Sequence, residues 1–338
     1  YNQLAYEDFR LCLDESLAGH QDYLFNYYHE QAGLKELVEA LKNRLASDDI
    51  YVNSNQIVIT SGSQQALYIL SQMDFGNGAH KILLEQPTYH RMNQLVNRQN
   101  LAYETINRNF DGLDFTLLEE YFKSGQFKFF YTISRYSNPL GLSYTASEKE
   151  KLAQLAKQYN VYIVEDDYMG DFSDSKNLPI HYYDTKNQTI YIKSFSMALF
   201  PGLRLGCLVL PPNLKPTFLS HKGLIDYDTN LIMQKALSVY LANGMFQKNI
   251  KKLGDLFQQN MAKSQAIIEK SKVSIPYQIS PRHVTWQLPK EFSLEKFKAH
   301  KQIRFLESSF IRPTSETYLQ IGHGQELESF IKLLKKTK

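Results

Sequence analysis

Short apolar segments alternate with amphipathic segments between about residues 55 and 210, and this alternation restricts the possible folds more than any other feature. Strand-like runs occupy residues 57–60, 129–133 and 161–164, and the first two lead into segments with helical signals. Strands that alternate with helices usually form a parallel sheet with helices on both faces. We therefore predict an α/β fold built on a mostly parallel sheet.

The composition excludes several classes of protein. The 38 basic and 35 acidic residues give a net charge of +3, which is too balanced for a nucleic-acid-binding surface, so DNA binding by this chain alone is not expected. Two cysteines are too few for a disulfide framework and fit a reducing compartment. The apolar runs are shorter than a membrane span, and the first residues lack a signal-peptide pattern. We expect a cytoplasmic protein without membrane contact.

The stretch 190–210 has the composition of an anion-binding loop. An apolar, β-branched run leads through Ser194 and Ser196, past a Pro-Gly pair and Arg204, into a second apolar run. We expect two strands that flank this loop. Hydroxyl groups, free backbone N–H groups and a guanidinium are suitable donors for a phosphate dianion.

A second candidate anion site follows residues 57–60, where a small-residue turn leads into a helix that we expect to begin near Gln64. Unpaired N–H groups and the helix dipole favour negative charge at such a helix start. The candidate phosphate donors are Ser61, Gly62, Ser63 and Gln64.

The segment Ser-Phe-Ser-Met at 194–197, followed by Pro-Gly-Leu-Arg-Leu-Gly at 201–206, resembles the active-site segment of fold-type I pyridoxal-phosphate (PLP) enzymes. It is most similar to the aminotransferase-like effector domain of MocR-type transcription regulators in the GntR superfamily. In that family a lysine that forms the Schiff base with the cofactor stands where this chain has Met197. A thioether has no nucleophilic nitrogen and cannot form an imine or transfer a proton. Lys193, on the strand side of the turn, is not expected to replace the lysine.

The resemblance extends over nearly the whole chain and implies its architecture. It implies a fold-type I transferase with a large domain, whose sheet is of the seven-stranded, mostly parallel type, and a small α+β domain at the C-terminus. We predict an N-terminal arm at 1–45, a large domain at 46–235 and a small domain at 236–338. A start at Tyr1 instead of Met leaves room for a further N-terminal module.

The same resemblance implies roles for five further residues. Tyr89, in Pro-Thr-Tyr, would stack on the pyridine ring, and Asn138, in Asn-Pro-Leu-Gly, would donate to the phenolic oxygen. Asp166 would pair with the protonated pyridine nitrogen, while Tyr168 would hydrogen-bond the phenolic oxygen. Tyr28 would reach across a homodimer interface to the cofactor phosphate of the partner.

The substrate-binding position also departs from the family pattern. Where the family keeps an arginine that binds the substrate carboxylate, this chain has Gln320, which supplies no countercharge. A substitute from elsewhere in the chain could be Arg282, Arg304 or Arg312.

Several functions remain open at this point. The favoured hypothesis is a degenerate ligand-sensing domain of a transcription regulator that binds PLP, pyridoxamine phosphate (PMP) or a related phosphorylated molecule non-covalently. DNA would then be bound only by a separate N-terminal module. The alternatives are an active PLP-dependent aminotransferase or lyase whose lysine was mutated or substituted, and a structural dimerisation remnant with an empty pocket. A metal site is a less favoured reading of four carboxylates, Glu165, Asp166, Asp167 and Asp171.

Overall fold

A computed structural model gives the structure of the protein and describes residues 3–19 and 22–337. The domain predictions also extend over residues 1, 2, 20, 21 and 338, which lie outside the described residues.

The structure has twelve α-helices within these ranges. They are α1 (Gln3–Ala18), α2 (Lys35–Ser47), α3 (Gly62–Gln72), α4 (His90–Arg98), α5 (Phe115–Lys123), α6 (Ala146–Tyr159), α7 (Ile180–Tyr183), α8 (Lys215–Lys222), α9 (Leu231–Ala242), α10 (Met245–Ser271), α11 (Glu295–Lys298) and α12 (Gln325–Lys336). None of these described helices is both long enough and apolar enough to cross a membrane.

The strands divide between two sheets. They are β1 (Ile57–Thr60), β2 (Lys81–Gln86), β3 (Tyr103–Asn109), β4 (Gly112–Leu113), β5 (Phe127–Thr132), β6 (Tyr162–Asp166), β7 (Thr189–Ser194), β8 (Gly206–Val209), β9 (Tyr277–Ile279), β10 (His283–Leu288), β11 (Arg304–Phe305) and β12 (Thr317–Gly322).

The large sheet has, within the described ranges, eight strands in the order β1-β8-β7-β6-β5-β2-β3-β4. From β7 to β3 all neighbours are parallel, whereas β8 runs antiparallel to both β7 and β1. The two-residue strand β4 pairs antiparallel with β3 at the edge. The central strands β5 and β6 are buried along their whole length, as expected for a parallel sheet covered on both faces. The predicted fold class is confirmed, and β4 is an addition to the predicted sheet.

The second sheet is antiparallel and has the order β11-β12-β10-β9. Its core surrounds the buried Trp286 and includes residues of α10 and α12, such as Ile268 and Phe330. These elements correspond to the expected small α+β domain, while the exact domain boundaries stay a prediction.

The fold brings the ends of several elements together at one edge of the large sheet. In parallel α/β sheets ligands bind beyond the carboxyl ends of the strands, where helices also begin. Here the ends of β5, β6 and β7 meet the start of α3, because β8 returns antiparallel beside β1. Gly206, at the start of β8, permits this approach, since a Cβ at this position would lie 3.2 Å from the backbone nitrogen of Ser63.

Candidate functional site

A cavity of about 360 Å³ lies at this edge of the sheet. This volume is typical of a pocket for a small molecule. Its lining contains Ser63, Gln64, Tyr89, Arg91, Ile133, Asn138, Asp166, Tyr168, Ser194, Ser196, Met197 and Arg204. The sequence had singled out ten of these twelve residues, and the fold collects them from six separate segments of the chain.

One end of the cavity carries hydrogen-bond donors. Ser63 and Gln64 belong to the first turn of α3, and the Ser194 hydroxyl donates to the Ser196 hydroxyl, 3.2 Å away. The side-chain oxygen of Gln64 is buried without a hydrogen-bond partner. Because the oxygen and nitrogen of an amide exchange places by a half-turn, Gln64 can instead present its N–H groups to a ligand. This end therefore combines the helix start with donors suited to an anion.

The Arg204 side chain packs against Gly62 and reaches the same part of the cavity. A Cβ built on Gly62 would lie 2.8 Å from Nη2 of Arg204, so the guanidinium packs where any other residue would place a side chain. Gly62 also has a φ of +80°, which favours glycine. Gly62 does not line the cavity itself, and its role is to leave space for Arg204.

Asp166, which also lines the cavity, is buried at the last position of β6. The Tyr131 hydroxyl on β5 donates to its Oδ2 atom over 2.6 Å. Burial raises the pKa of Asp166 to about 6, and the hydrogen bond from Tyr131 only partly opposes this shift. The carboxyl group therefore changes between its neutral and its charged form near pH 6.

Three further polar side chains line the cavity. The Tyr168 hydroxyl donates to the backbone carbonyl of Tyr136 over 2.8 Å, so its own proton is already engaged. Tyr89 is half-buried at the start of α4, and Asn138 lies in the turn after β5.

Met197 lines the cavity at the position where the resemblance places a lysine. Its Sδ atom lies 3.4 Å from Nη1 of Arg282, which comes from the loop between β9 and β10. The neighbouring Lys193 is buried and forms an ion pair with Asp171, and it does not line the cavity.

The other sequence-predicted residues lie outside the cavity lining. The Ser61 hydroxyl donates to Asp226 over 2.8 Å. The hydroxyl of Tyr28 accepts from the backbone nitrogen of Lys35 at 3.4 Å. Gln320 lines a smaller adjoining cavity and donates to the carbonyl oxygen of Pro139 over 3.2 Å.

The four carboxylates that suggested a metal site have separate partners. Asp167 is paired with Arg135 on both oxygens, and Asp171 with Lys193. Burial would raise the pKa of Asp167, but the Arg135 guanidinium outweighs this effect and lowers it. Glu165 accepts hydrogen bonds from the backbone N–H groups that begin α7. In the part of the chain that the structure describes, no group of three or more His, Cys, Asp or Glu side chains is arranged for a metal ion.

Three contributors were not predicted from the sequence, Arg91, Ile133 and Tyr131. Arg91 follows Tyr89 by two residues. A basic residue so close to the proposed stacking ring could have indicated that Arg91 also lines the cavity. Tyr131 pairs in register with Val164, which places it on the same face as Asp166. Recognising that Tyr131 lies beside Asp166 requires the register of the two strands, and a single sequence does not give this register.

Comparison with known proteins identifies the family. The sequence profile of the aminotransferase class I and II family matches residues 12–280. The chain belongs to this family. The solved structure of a multiple substrate aminotransferase (MsAT) from Thermococcus profundus superimposes with a TM-score of 0.85 at 25% identity, covering 98% of this chain and 87% of that one.

The curated relatives of this aminotransferase-family chain include transcription regulators. YcxD of Bacillus subtilis (strain 168), named an uncharacterized HTH-type transcriptional regulator, is 40% identical over 255 residues, which are 75% of this chain and 57% of YcxD. NorG of Staphylococcus aureus (strain USA300), named an HTH-type transcriptional regulator, is 27% identical over 239 residues, 70% of this chain and 53% of NorG. The chain spans about half the length of these relatives.

Proteins with the aminotransferase fold generally bind PLP or PMP, and the chemistry of this cavity fits such a group. The Gln64 amide, whose oxygen is buried without a partner, forms a donor set for a phosphate together with the two serines and Arg204. Asp166 in the same lining is an acceptor for a protonated ring nitrogen. When bound, the cofactor would supply a cationic ring that withdraws electrons from a reacting group.

Proposed function

We propose that this chain is the ligand-sensing effector domain of a cytoplasmic transcription regulator. It binds PLP, PMP or a related phosphorylated molecule without a covalent bond. The regulator names of YcxD and NorG, together with the family membership, support the regulatory part of this proposal. DNA would be bound by a separate N-terminal module, since the chain spans about half the length of these relatives.

One observation carries the ligand part of the proposal. A cavity lined by phosphate donors and a buried carboxyl group has Met197 in its wall, where the resemblance places the reacting lysine. A thioether can pack against a ring but cannot attack an aldehyde or move a proton. Binding is therefore retained while covalent attachment is lost.

Nine of the twelve lining residues have a proposed role in holding the ligand. Ser63, Gln64 and Arg204 would bind the phosphate, helped by Ser194 and Ser196, whose hydroxyls face the same end. The aromatic and acidic residues would then contact the pyridine ring of the ligand. Tyr89 would stack on the ring, Asn138 and Tyr168 would lie beside its phenolic oxygen, and Asp166 would accept from its nitrogen.

We further propose that the domain works as a homodimer. Exposed apolar side chains cluster around a surface groove, among them Phe25 at 65% and Tyr27 at 77% exposure, with Tyr227 beside them. Large exposed aromatic residues of this kind are typical of interfaces. Tyr28, which is adjacent and does not line the cavity of its own chain, would then reach that of the partner.

Calorimetric titration with PMP tests the ligand part directly, because PMP has no aldehyde and can bind only non-covalently. We expect saturable binding at one site per chain, weakened about tenfold or more in Arg204→Gln, since a charged hydrogen-bond donor to the phosphate is removed. Arg98→Gln is the matched control, because Arg98 is an exposed arginine at the end of α4. Absence of PMP binding to the unmodified protein would refute the proposal.

A further inference from the structure

The charge of the chain is distributed unevenly along the sequence. Residues 236–338, which we predict to be the small domain, hold 17 Lys and Arg residues against 8 Asp and Glu residues, whereas residues 1–235 hold 21 against 27. The first group is strongly basic and the second is acidic, although the whole chain carries only +3. Our expectation that this chain alone does not bind DNA used the charge of the whole chain, so it does not apply to the basic part taken by itself.

Ion pairs do not neutralise the basic part. All ion pairs of the described residues join side chains within residues 36–235. The described lysines that follow residue 235 therefore keep their positive charge without an acidic partner. Such charges attract anions over a distance of about 8 to 10 Å at physiological salt concentration.

Five of these lysines share one face of α10, which is the 27-residue helix Met245–Ser271. At about 100° per residue, their side chains fall within about 120° of one another around the helix axis. All five are exposed, and they are Lys248, Lys251, Lys252, Lys263 and Lys270. We call these five residues the lysine face. The opposite face of α10 packs into the protein through buried residues such as Phe246, Ile250 and Ile268.

The acidic residues of α10 leave the lysine face positive. Asp255 and Glu269 are the two acidic residues of this helix, against five lysines. The Gln265 amide donates to a carboxylate oxygen of Glu269 over 2.8 Å. Neither Asp255 nor Glu269 takes part in an ion pair of the described residues. The face therefore keeps a net positive charge along the helix.

The positions of the lysines do not serve the stability of the helix. Lys248, Lys251 and Lys252 lie in the first two or so turns, near the end where the helix dipole favours negative charge. The first turn contains no acidic residue, and the N-cap residue Gly244 makes no side-chain cap hydrogen bond. The start of α10 thus adds to the positive potential of the lysine face, as expected for a surface that receives an anion.

The length of the lysine face suits duplex DNA. At a rise of about 1.5 Å per residue, Lys248 and Lys270 are about 33 Å apart along the helix, which is close to the length of one turn of the duplex, about 34 Å. An anionic membrane surface fits less well, because a helix that lies on a membrane inserts its apolar face. The apolar face of α10 is already buried in the protein.

We propose that the lysine face binds the phosphate backbone of duplex DNA without reading its sequence. This inference rests on the proposed function, in which a separate module recognises the DNA. The lysine face adds a contact to the same DNA that is sensitive to salt, since ammonium groups paired with phosphates provide affinity but carry no information about the bases.

Fluorescence anisotropy with a labelled duplex of about 30 base pairs and arbitrary sequence tests the proposal between about 50 and 200 mM salt. We expect weak binding whose affinity falls with salt, with a slope of about −4 on logarithmic scales, because each lysine–phosphate contact contributes about −0.9. The triple variant Lys248→Gln, Lys252→Gln and Lys263→Gln should bind about tenfold or more weakly at the lowest salt concentration, with a slope of about −2.

A second triple variant, Lys123→Gln, Lys151→Gln and Lys157→Gln, is the matched control. It removes three exposed lysines of α5 and α6 and has the same net charge as the first variant. Its affinity for the duplex should stay within about twofold of that of the unmodified protein, since these lysines lie outside the lysine face. Circular dichroism should show the same helix content in all three proteins.

Absence of duplex binding at the lowest salt concentration, or equal losses in the two triple variants, would overturn the proposal. Phosphatidylserine vesicles that bound the chain as tightly as the duplex does would assign the lysine face to a membrane, and would overturn it as well. PMP titration separates this proposal from the proposed function. PMP binding without duplex binding refutes the lysine face alone, whereas duplex binding without PMP binding supports the lysine face and refutes the ligand part of the proposed function.

Discussion

Asp166 lies buried against Tyr131 at the end of β6, and its pKa of about 6 makes ligand binding sensitive to pH. Below pH 6 the carboxyl group is mostly neutral, and above it mostly a carboxylate, which pairs better with a protonated pyridine. We predict that PMP affinity rises as the pH increases from about 5 to 7. Calorimetric titrations across this range measure the effect.

The phosphate of PMP also gains charge in this range, since its second pKa is about 6, so a reference variant is needed. Asp166→Asn keeps the shape of the side chain and removes its titration. We expect weaker binding at pH 8 and a shallower pH profile for this variant. Identical profiles for the variant and the unmodified protein would show that Asp166 does not contact the ligand ring.

At the scale of elements, the start of α6 depends on one reciprocal pair of hydrogen bonds. Thr145 accepts from the backbone nitrogen of Glu148 over 3.1 Å, and Glu148 accepts from that of Thr145 over 2.8 Å. We predict that Thr145→Ala lowers the free energy of unfolding by about 1 kcal/mol. Ser147→Ala is the control and should change it little. Urea unfolding measures the free energy of unfolding of both variants. Equal losses of stability in Thr145→Ala and Ser147→Ala would contradict the assignment of Thr145 as the cap.

The cap and the strands show what the sequence could predict at this scale. Residues 57–60 form the predicted strand, and Thr145 with Glu148 three residues later is the sequence pattern of a capping box. Such features depend on neighbours in the chain, so local patterns reveal them. The helix that we expected near Gln64 begins two residues earlier, at Gly62.

Sequence patterns could not predict contacts between distant segments of the chain. Ser61 was expected at the phosphate, but its hydroxyl donates to Asp226, 165 residues away in the chain. Gln320 was expected at the substrate, yet it bonds Pro139, 181 residues away. Spacing within one segment carries no information about such pairings. Ten of the twelve residues in the cavity lining were nevertheless singled out, because they lie in short motifs that the sequence or the family resemblance identifies.

For the whole molecule, the proposed homodimer gives Tyr28 a measurable role. If this residue completes the phosphate site of the partner, Tyr28→Ala should weaken PMP binding several-fold without dissociating or unfolding the dimer. Tyr51→Ala is the control, because Tyr51 is 67% exposed and lies outside the cavity lining. Analytical ultracentrifugation with calorimetry provides the measurement. Unchanged affinity in a confirmed dimer would argue against this role of Tyr28.

The central claim is that the cavity binds a phosphorylated pyridine but lacks the amine that would attach it. The direct measurement is peptide mass mapping after treatment with equimolar PLP and borohydride, comparing the unmodified protein with Met197→Lys. We predict a reduced phosphopyridoxyl group on residue 197 of the variant and no such group on any cavity residue or on Lys193 of the unmodified protein. Modification of Lys193 in the unmodified protein, or a variant that stays unlabelled at residue 197, would contradict the account.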